Sequence, residues 1–403
     1  MNNVKITMPD YAACAIHLLE KAGYRAYAVG GCVRDSVLGI VPCDWDICTS
    51  ALPNEIAEVF SSYKTVNTGI EHGTVTVILN GNQLEITTFR RDGNYTDNRH
   101  PDKVEFVRTL SDDLSRRDFT VNAMAYSEHD GLIDLYGGLC DLDAGMIRCV
   151  GDAEKRFEED ALRIMRALRF ASRYDFEIED NTANAIRKMA HLLKNISFER
   201  ISSELRGIVS GKCGGKMLAT FGEVLTAILP FTPSKSALIA VDLAPADVNL
   251  RLALLLYESS FDVSLMLKNL RFDKKSADDI ASIAGHLKAE LPMCEYEICK
   301  TASSLGHDRF VRLLQGKKAL LQALASDCKP AIECEIIYER MSKEGRCPSP
   351  SDLTVKGTDL IMLGYSEGKD IGQIQRRLLD MIYSGEVKNE RDALLKLAEK
   401  LKA

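Results

Sequence analysis

Gly30-Gly31-Cys32-Val33-Arg34-Asp35, followed by Asp44-Trp45-Asp46, decides how the N-terminal part of this chain is read. The apolar run Tyr27-Ala28-Val29 leading into it has strand character, and Val33 to Leu38 has helical spacing. Two glycines between a strand and a helix let a phosphate approach backbone N–H groups, and a helix N-terminus favours negative charge. Arg34 is placed to clamp that charge. Past a turn through Gly39 and Pro42, an extended run begins near Asp44. Residues i and i+2 of a strand face one side, so Asp44 and Asp46 are expected to project together. Two carboxylates that close repel each other unless a cation lies between them, and their hard oxygens suit magnesium. A tight turn and a solvated acidic loop would each explain one piece. The order of glycine turn, helix and acidic strand points instead to a metal-bound nucleoside triphosphate. The glycines spell neither G-x-G-x-x-G nor a P-loop, which excludes the dinucleotide-binding and Walker-type readings.

Around this core the first 150 residues alternate helical and strand patterns. Tyr11 to Ala22 reads as an amphipathic helix, and Gly73 to Leu79 and Gln83 to Phe89 are β-rich runs separated by the hairpin signal Asn80-Gly81. Alternation sets Glu85 opposite Leu84 and Ile86, so a third acid joins the first two if its strand neighbours theirs. The result is a small mixed sheet with helices packed on it, an α+β head. From about Gly151 β-branched runs become sparse. Asp160 to Arg173, Thr182 to Leu193, Leu250 to Tyr257, Phe310 to Ala325 and Ile332 to Ser342 have helical apolar spacing. Gly214-Gly215 and Pro348-Ser349-Pro350 suggest further boundaries near 205 and 345.

At 403 residues the chain is too long for one ordinary core, and 46% hydrophobic with 27% charged residues is a globular composition. No apolar run approaches the roughly 20 residues that span a bilayer, and MNNVKITMPD lacks the apolar core of a signal peptide. A soluble cytoplasmic protein without a membrane partner is expected. Its twelve cysteines contain no C-x-x-C pair and are expected to be reduced and mostly buried. No two histidines have metal-ligand spacing. The net charge of −7 argues against a nucleic-acid partner until its distribution is examined: residues 1–150 carry 13 Lys and Arg against 21 Asp and Glu, and the remainder 38 against 37. The acidity belongs to the head.

Three ordered stretches carry a resemblance. Gly-Gly-x-Val-Arg-Asp with Asp-x-Asp, then Arg116-Arg117-Asp118-Phe119-Thr120-Val121-Asn122-Ala123, then Glu159-Asp160-Ala161-Leu162-Arg163-Ile164-Met165-Arg166-Ala167-Leu168-Arg169-Phe170 resemble the class II tRNA nucleotidyltransferases, the family of CCA-adding enzymes and bacterial poly(A) polymerases. Weaker similarity continues through Phe198-Glu199-Arg200-Ile201 and Gly357 to Asn389. The resemblance implies an α+β nucleotidyltransferase head over 1–150. All-α neck, body and tail would follow over 151–205, 206–345 and 346–403. It implies that Asp44 and Asp46 bind the catalytic magnesium ions with Glu85 as third acid, and that Gly31 and Arg34 contact the triphosphate. Arg117, Asp118 and Asn122 would hold phosphate and ribose, Asp160 and Arg163 would face the base, and Arg166 and Arg169 match further nucleotide-contacting arginines. The implied substrates are CTP, ATP and tRNA.

The chemistry of the base pair agrees. Asp160 and Arg163, three apart on a helix, are expected to be surface neighbours. Aspartate accepts hydrogen bonds and arginine donates them. Cytosine and adenine each offer an amino donor beside a ring-nitrogen acceptor; guanine and uracil leave mismatched groups, at about 1–3 kcal/mol per buried unsatisfied group. On periodicity alone these charges would be a solvated face with i,i+3 ion pairs; the neighbouring motifs overrule that.

Within the family, the compact loop 90–103 and the absence of a long basic extension favour CCA addition over polyadenylation, with A-adding and CC-adding specialists left open. Motion of that loop is a candidate for the switch from C to A. Glu258-Ser259-Ser260 stands where a histidine-aspartate phosphohydrolase would place His-Asp, and Asp308 reads as a helix N-cap, so no second hydrolase is expected. Outside the family, a catalytically inactive RNA-binding protein would have lost a metal ligand or the base-reading pair, and all are present. Lys274-Lys275, Lys317-Lys318 and Arg376-Arg377 are candidate basic patches for tRNA. Oligomeric state is not legible.

Overall fold

The computed structural model describes residues 4–66, 69–70, 73–92 and 104–402. Packing divides the chain into two units, Met1–Thr232 and Pro233–Ala403.

The first unit is built on a seven-stranded sheet of β1 (Ala26–Val29), β2 (Asp46–Thr49), β3 (Lys64–Val66), β4 (Thr74–Leu79), β5 (Asn82–Thr88), β8 (Met124–Ser127) and β9 (Gly131–Asp134); β6 (Arg90–Asp92) and β7 (Val104–Phe106) form a separate ladder. The order is β3-β4-β5-β2-β1-β8-β9, and β2 with β5 is its one parallel pairing. Asn80 and Gly81 turn the β4–β5 hairpin at φ 50° and 81°, the left-handed pair that a two-residue turn matching strand twist requires. Leu84 and Ile86 of β5 are buried, and Glu85 between them stays exposed. Helix α1 (Asp10–Lys21) buries Ala12, Ala15, Ile16 and Leu19, and α2 (Gly31–Val37) starts two residues earlier than its spacing suggested. Three short helices, α3 (Pro53–Val59), α4 (Leu110–Ser115) and α5 (Gly138–Asp143), complete this α+β region.

Helices then take over with α6 (Ala153–Glu159), α7 (Leu162–Tyr174), α8 (Asp180–Met189), α9 (Phe198–Ser210), α10 (Gly214–Thr220) and α11 (Gly222–Ile228), joined by a short parallel pair, β10 (Met146–Ile147) and β11 (Glu177–Ile178). Residue 205, the expected end of the neck, lies inside α9. Asp160 corrects the sequence reading: it is not helical but extended, at φ −142° and ψ 102°, in the break between α6 and α7. Its Oδ1 accepts the Leu162 N–H at 3.1 Å, the local side-chain bond by which aspartate competes with helix continuation. Helices α7 and α9 approach closely because Gly207 has no side chain; a Cβ there would lie 2.4 Å from Arg169 Cδ.

The second unit is all helical: α12 (Lys235–Leu243), α13 (Val248–Leu256), α14 (Val263–Asn269), α15 (Lys274–Lys288), α16 (Glu295–Leu305), α17 (His307–Ala323), α18 (Lys329–Lys343), α19 (Gly357–Met362), α20 (Lys369–Tyr383) and α21 (Arg391–Lys402). Ser234, Asp247, Asp262 and Asp273 cap α12 to α15 by accepting an N–H three residues on. Asp308 does not cap α17; Gly306 holds that position and Asp308 sits in the first turn. Leu353, Val355, Leu360, Leu378, Ile382 and Leu394 gather α19 to α21 around their own core. The expected all-reduced cysteines meet one exception, a disulfide between Cys299 and Cys347, whose Cα atoms are 4.9 Å apart. Their separation of 48 residues hid the proximity that helix packing creates. Among the described residues no helix is long and apolar enough to cross a membrane.

Candidate nucleotide-binding site

Parallel pairing of β2 with β5 sets Asp46 directly beside Glu85. Asp44 precedes β2 rather than lying on it, which corrects the expected i, i+2 strand geometry. The three acids nevertheless share one field. Asp46 remains solvent-accessible, yet the protein crowded round its carboxyl, and then the charges of Asp44 and Glu85, push it up to about 6 against the pull of Arg117. Such accumulated negative charge is what a hard divalent cation neutralises. Among the described residues no three His, Cys, Asp or Glu side chains are placed to hold a metal by themselves. This donor set fits magnesium, which binds through one or two carboxylates and completes its shell with phosphate oxygens and water.

On the other side of β1 the chain turns sharply at Gly30, at φ 80° and ψ −124°, a region open to glycine alone. A Cβ there would lie 3.1 Å from Arg117 Nη1, whereas one on Gly31 would make only ordinary contact with Arg34 at 3.6 Å. Gly30, not Gly31, is the conformationally required glycine. Arg34 is also more inward than its expected phosphate-clamping role: it is 4% exposed and directs its three nitrogens at Asp35 and Asn122, with its guanidinium over the Phe170 and Tyr174 rings.

These contacts belong to a ring that closes through Phe170, on whose face both Arg34 and Arg166 lie. Tyr174 donates to Asp35 Oδ1 at 2.7 Å, and Arg34 bonds both Asp35 and Asn122 Oδ1. The Asn122 amide donates onward to Asp118 Oδ1 at 3.0 Å, and Arg166 closes on Asp118 Oδ2 through Nε at 2.8 Å and Nη2 at 2.6 Å. Burial works against the Asp118 charge, but Arg166 and Asn122 overcome it and hold the carboxyl down at about 2. The ring joins α2 to α7 through the 3₁₀ turn Thr120–Asn122.

Beside it opens a cleft of about 260 Å³ lined by Arg116, Arg117, Asp118, Asp160, Leu162, Arg163, Arg166 and Arg200. Its lining carries five guanidinium groups and two carboxylates. Asp160 and Arg163 both reach it without touching through their side chains: Asp160 Oδ2 accepts from Arg200 at 2.7 Å, and Arg163 bonds Glu159 at 2.7 Å and the Arg156 and Arg116 carbonyls at 3.1 Å. Arg169 turns away from this cleft to pair with buried Glu204 at 2.7 Å and to stack on Phe170. Arg117 connects the two halves, since it lines the cleft, pairs with Asp113 at 3.1 Å and still acts on Asp46.

Sequence reasoning passed over Arg116, Glu159 and Arg200 as site residues. The first two adjoin predicted positions, and Arg200 stood in the Phe198-Glu199-Arg200-Ile201 stretch without an assigned role. Residues 93–103 of the loop 90–103 lie outside the described residues. Of the basic patches, Lys317 donates to the Ala289 carbonyl and Lys318 pairs with Glu335; Lys274-Lys275 and Arg376-Arg377 are exposed.

Comparison with known proteins agrees with this architecture. Residues 26–148 match the Poly A polymerase head domain, 175–224 the family described as "Probable RNA and SrmB- binding site of polymerase A", and 246–398 domain 2 of tRNA nucleotidyltransferases. The CCA-adding enzyme of Ligilactobacillus salivarius is 37% identical over 98% of each chain. The Bacillus stearothermophilus CCA-adding enzyme, solved in complex with CTP, superposes with a TM-score of 0.80 at 31% identity over 98% of each chain. The Thermotoga maritima CCA-adding enzyme, solved with tRNA, shares the fold with a TM-score of 0.70 at 23% identity. A sheet that sets acids beside a glycine turn, an arginine-lined cleft at the start of α7 and full-length similarity at this level together show that the chain belongs to the CCA-adding enzyme family of tRNA nucleotidyltransferases.

Proposed function

We propose that this chain builds CCA on the 3′ end of tRNA from CTP and ATP without a nucleic-acid template, releasing pyrophosphate at each addition. The observation that carries this reading is that Asp160 and Arg163, an acceptor and a donor suited to the amino and ring-nitrogen edge of cytosine and adenine, line one cleft with Arg117, whose charge also acts on Asp46 of the Asp46–Glu85 pair. In this reading Asp44 and Asp46 hold magnesium and Glu85 adds its charge beside them. When bound, magnesium supplies neutralisation of the triphosphate and of the pyrophosphate, and acidification of the terminal 3′-hydroxyl.

The chain's own residues orient the reaction. The Gly30-Gly31 turn admits phosphate close to backbone N–H groups, Arg117 faces the triphosphate charge, and Asn122 and Asp118 fix the sugar side of the site. Arg166 keeps Asp118 ionised and in place; Arg34 and Arg169 act from behind as positioning groups. Arg200 and Glu159 hold Asp160 and Arg163 in register with the base, so the protein serves as the template. The 3′-hydroxyl then attacks the α-phosphorus in line with departing pyrophosphate, with no protein nucleophile. We assign residues 1–150 to the catalytic head, 151–205 to a neck, 206–345 to a body and 346–403 to a tail that carries tRNA, and the reaction to the cytoplasm.

The test is incubation with tRNAs ending before CCA, after C and after CC, with CTP and ATP supplied separately and together. Completion of CCA on all three supports the reading. Extension of only the CC-ended tRNA by ATP would mark an A-adding enzyme, arrest after CC a CC-adding one, and long ATP-dependent tails a poly(A) polymerase.

A further inference from the structure

We propose that Cys299 and Cys347 form a reversible thiol–disulfide site that clasps the connector between α18 and α19 onto α16. The pair differs from the other ten cysteines, all of which are free thiols. Its two sulfurs are unequally placed: Cys299 is fully buried in the core of α19 to α21, against Met341, while Cys347 is half-buried on the connector. The Cα separation of 4.9 Å lies within the range a disulfide spans without backbone movement.

This asymmetry dictates the order of the chemistry. A low-molecular-weight disulfide, such as glutathione disulfide, is attacked by the Cys347 thiolate, giving a mixed disulfide and one small thiol. The Cys299 thiolate then attacks the Cys347 sulfur and expels the second small thiol. Two protein thiols are oxidised, one small disulfide is reduced to two thiols, and the two cysteine protons pass to them. Reduction runs the same path backwards and also begins at Cys347, because no reagent reaches Cys299.

The clasp sits where it controls a cleft. Arg346, next to Cys347, pairs with Glu295 on α16 at 3.0 Å, one turn before Cys299, and Tyr383 of α20 donates to the Pro348 carbonyl at 2.9 Å. Around Cys347 the connector is thus tied by the disulfide, a half-exposed ion pair and the Pro348 hydrogen bond, while further along Leu353 and Val355 are anchored in the core and Asp352 and Thr354 bond Asn389. Residues 344–346 form one wall of a cleft of about 900 Å³, and residues 384–390 at the end of α20, with Lys388 and Asn389, form the other. Opening the disulfide removes the strongest tie on the first wall and leaves the core behind it intact.

The experiment combines peptide mapping with hydrogen exchange on the full chain, after incubation with glutathione disulfide or with dithiothreitol. The expected result is a cross-linked peptide pair containing Cys299 and Cys347 in the oxidised sample only, and exchange at 344–350 that is several-fold faster in the reduced one. Cys347→Ser should exchange like the reduced protein under both conditions, and Cys294→Ser, which removes the exposed thiol at the N-cap of α16, should behave as the unmodified chain. Twelve alkylatable thiols after oxidation, a cross-link to a different cysteine, or equal exchange in both states would each overturn the proposal.

Discussion

Replacing Asp118 with asparagine keeps the shape and Oδ1 of the side chain but removes the charge that faces Arg166, and the structure gives that change a size. The folded carboxyl sits at about 2 against an ordinary 3.8. A depressed carboxyl contributes stability that is fully present above its unfolded value and is lost as pH falls through its folded one, here about 2 kcal/mol. About half of that is gone by pH 3. The assay is urea unfolding followed by fluorescence of Trp45, the single tryptophan, which is 5% exposed and lies in the same unit as Asp118. Asp118→Asn should be less stable than the unmodified chain by about 2 kcal/mol at pH 7, with the gap closing to about 1 kcal/mol at pH 3. Comparison at each pH cancels every other titrating group. A gap that is constant across this range would show that the Asp118–Arg166 contact works through shape rather than charge, and the ring argument would fall with it.

Other outcomes follow from the same geometry. Asp46 has the opposite sign: its carboxyl is raised from 3.8 to about 6, so it favours the folded state below pH 4 and ceases to as pH rises through 6. Asp46→Asn should therefore unfold at higher urea than the unmodified chain at pH 7 and at the same urea near pH 4, while nucleotide incorporation disappears; reduced stability at pH 7 would contradict the crowding of charge described. Gly30→Ala should cost about 1–3 kcal/mol from backbone strain and lower CTP incorporation at least tenfold, with a distinctly smaller stability loss for Gly31→Ala, both read by Trp45 unfolding and single-nucleotide extension. Gly207→Ala should destabilise by about 1–3 kcal/mol because Arg169 must move, whereas Gly285→Ala, inside α15 with nothing within 4 Å of its Cβ, should stabilise by about 0.5–1 kcal/mol; calorimetry of the two variants checks the sign.

Much of this site is legible before folding, and the reasons differ by residue. The face of Glu85 could be read because alternation in Leu84-Glu85-Ile86 sets it opposite its neighbours and the Asn80-Gly81 turn marks the hairpin, whereas its place beside Asp46 depends on the pairing of β2 with β5, which only the fold supplies. The N-caps at Asp247, Asp262 and Asp273 are local bonds spanning three residues, but the sequence reading named only Asp308 as a cap, a position the structure gives to Gly306. Asp160 escaped because its helix periodicity is continuous on both sides; only the competing bond to Leu162 interrupts it. Arg200 escaped because its partner lies 40 residues away, and Arg34, read as a phosphate clamp, and Arg169, matched to a nucleotide-contacting arginine by resemblance, proved to have carboxylate partners within the protein. Whether an arginine meets phosphate or a buried Asp35 or Glu204 depends on which helix packs over it, and tertiary contact decides that. Cys299 and Cys347 were hidden for the same reason.

The ring of Arg34, Asn122, Asp118, Arg166 and Phe170, with Asp35 and Tyr174 attached at Arg34, has a direction. Asn122 must turn its oxygen to the Arg34 guanidinium and its NH₂ to the Asp118 carboxylate; flipped, it would face donor with donor and acceptor with acceptor. Neither aspartate nor leucine at 122 can answer both neighbours. One amide therefore links the glycine turn at the start of α2 to α7, and in the proposed reading the span from the triphosphate end to the base end of the site acts as a fixed ruler. Under that reading, selectivity between nucleotides would be a matter of measured length as well as matched edges, a base being read only when its phosphates are seated at the far end.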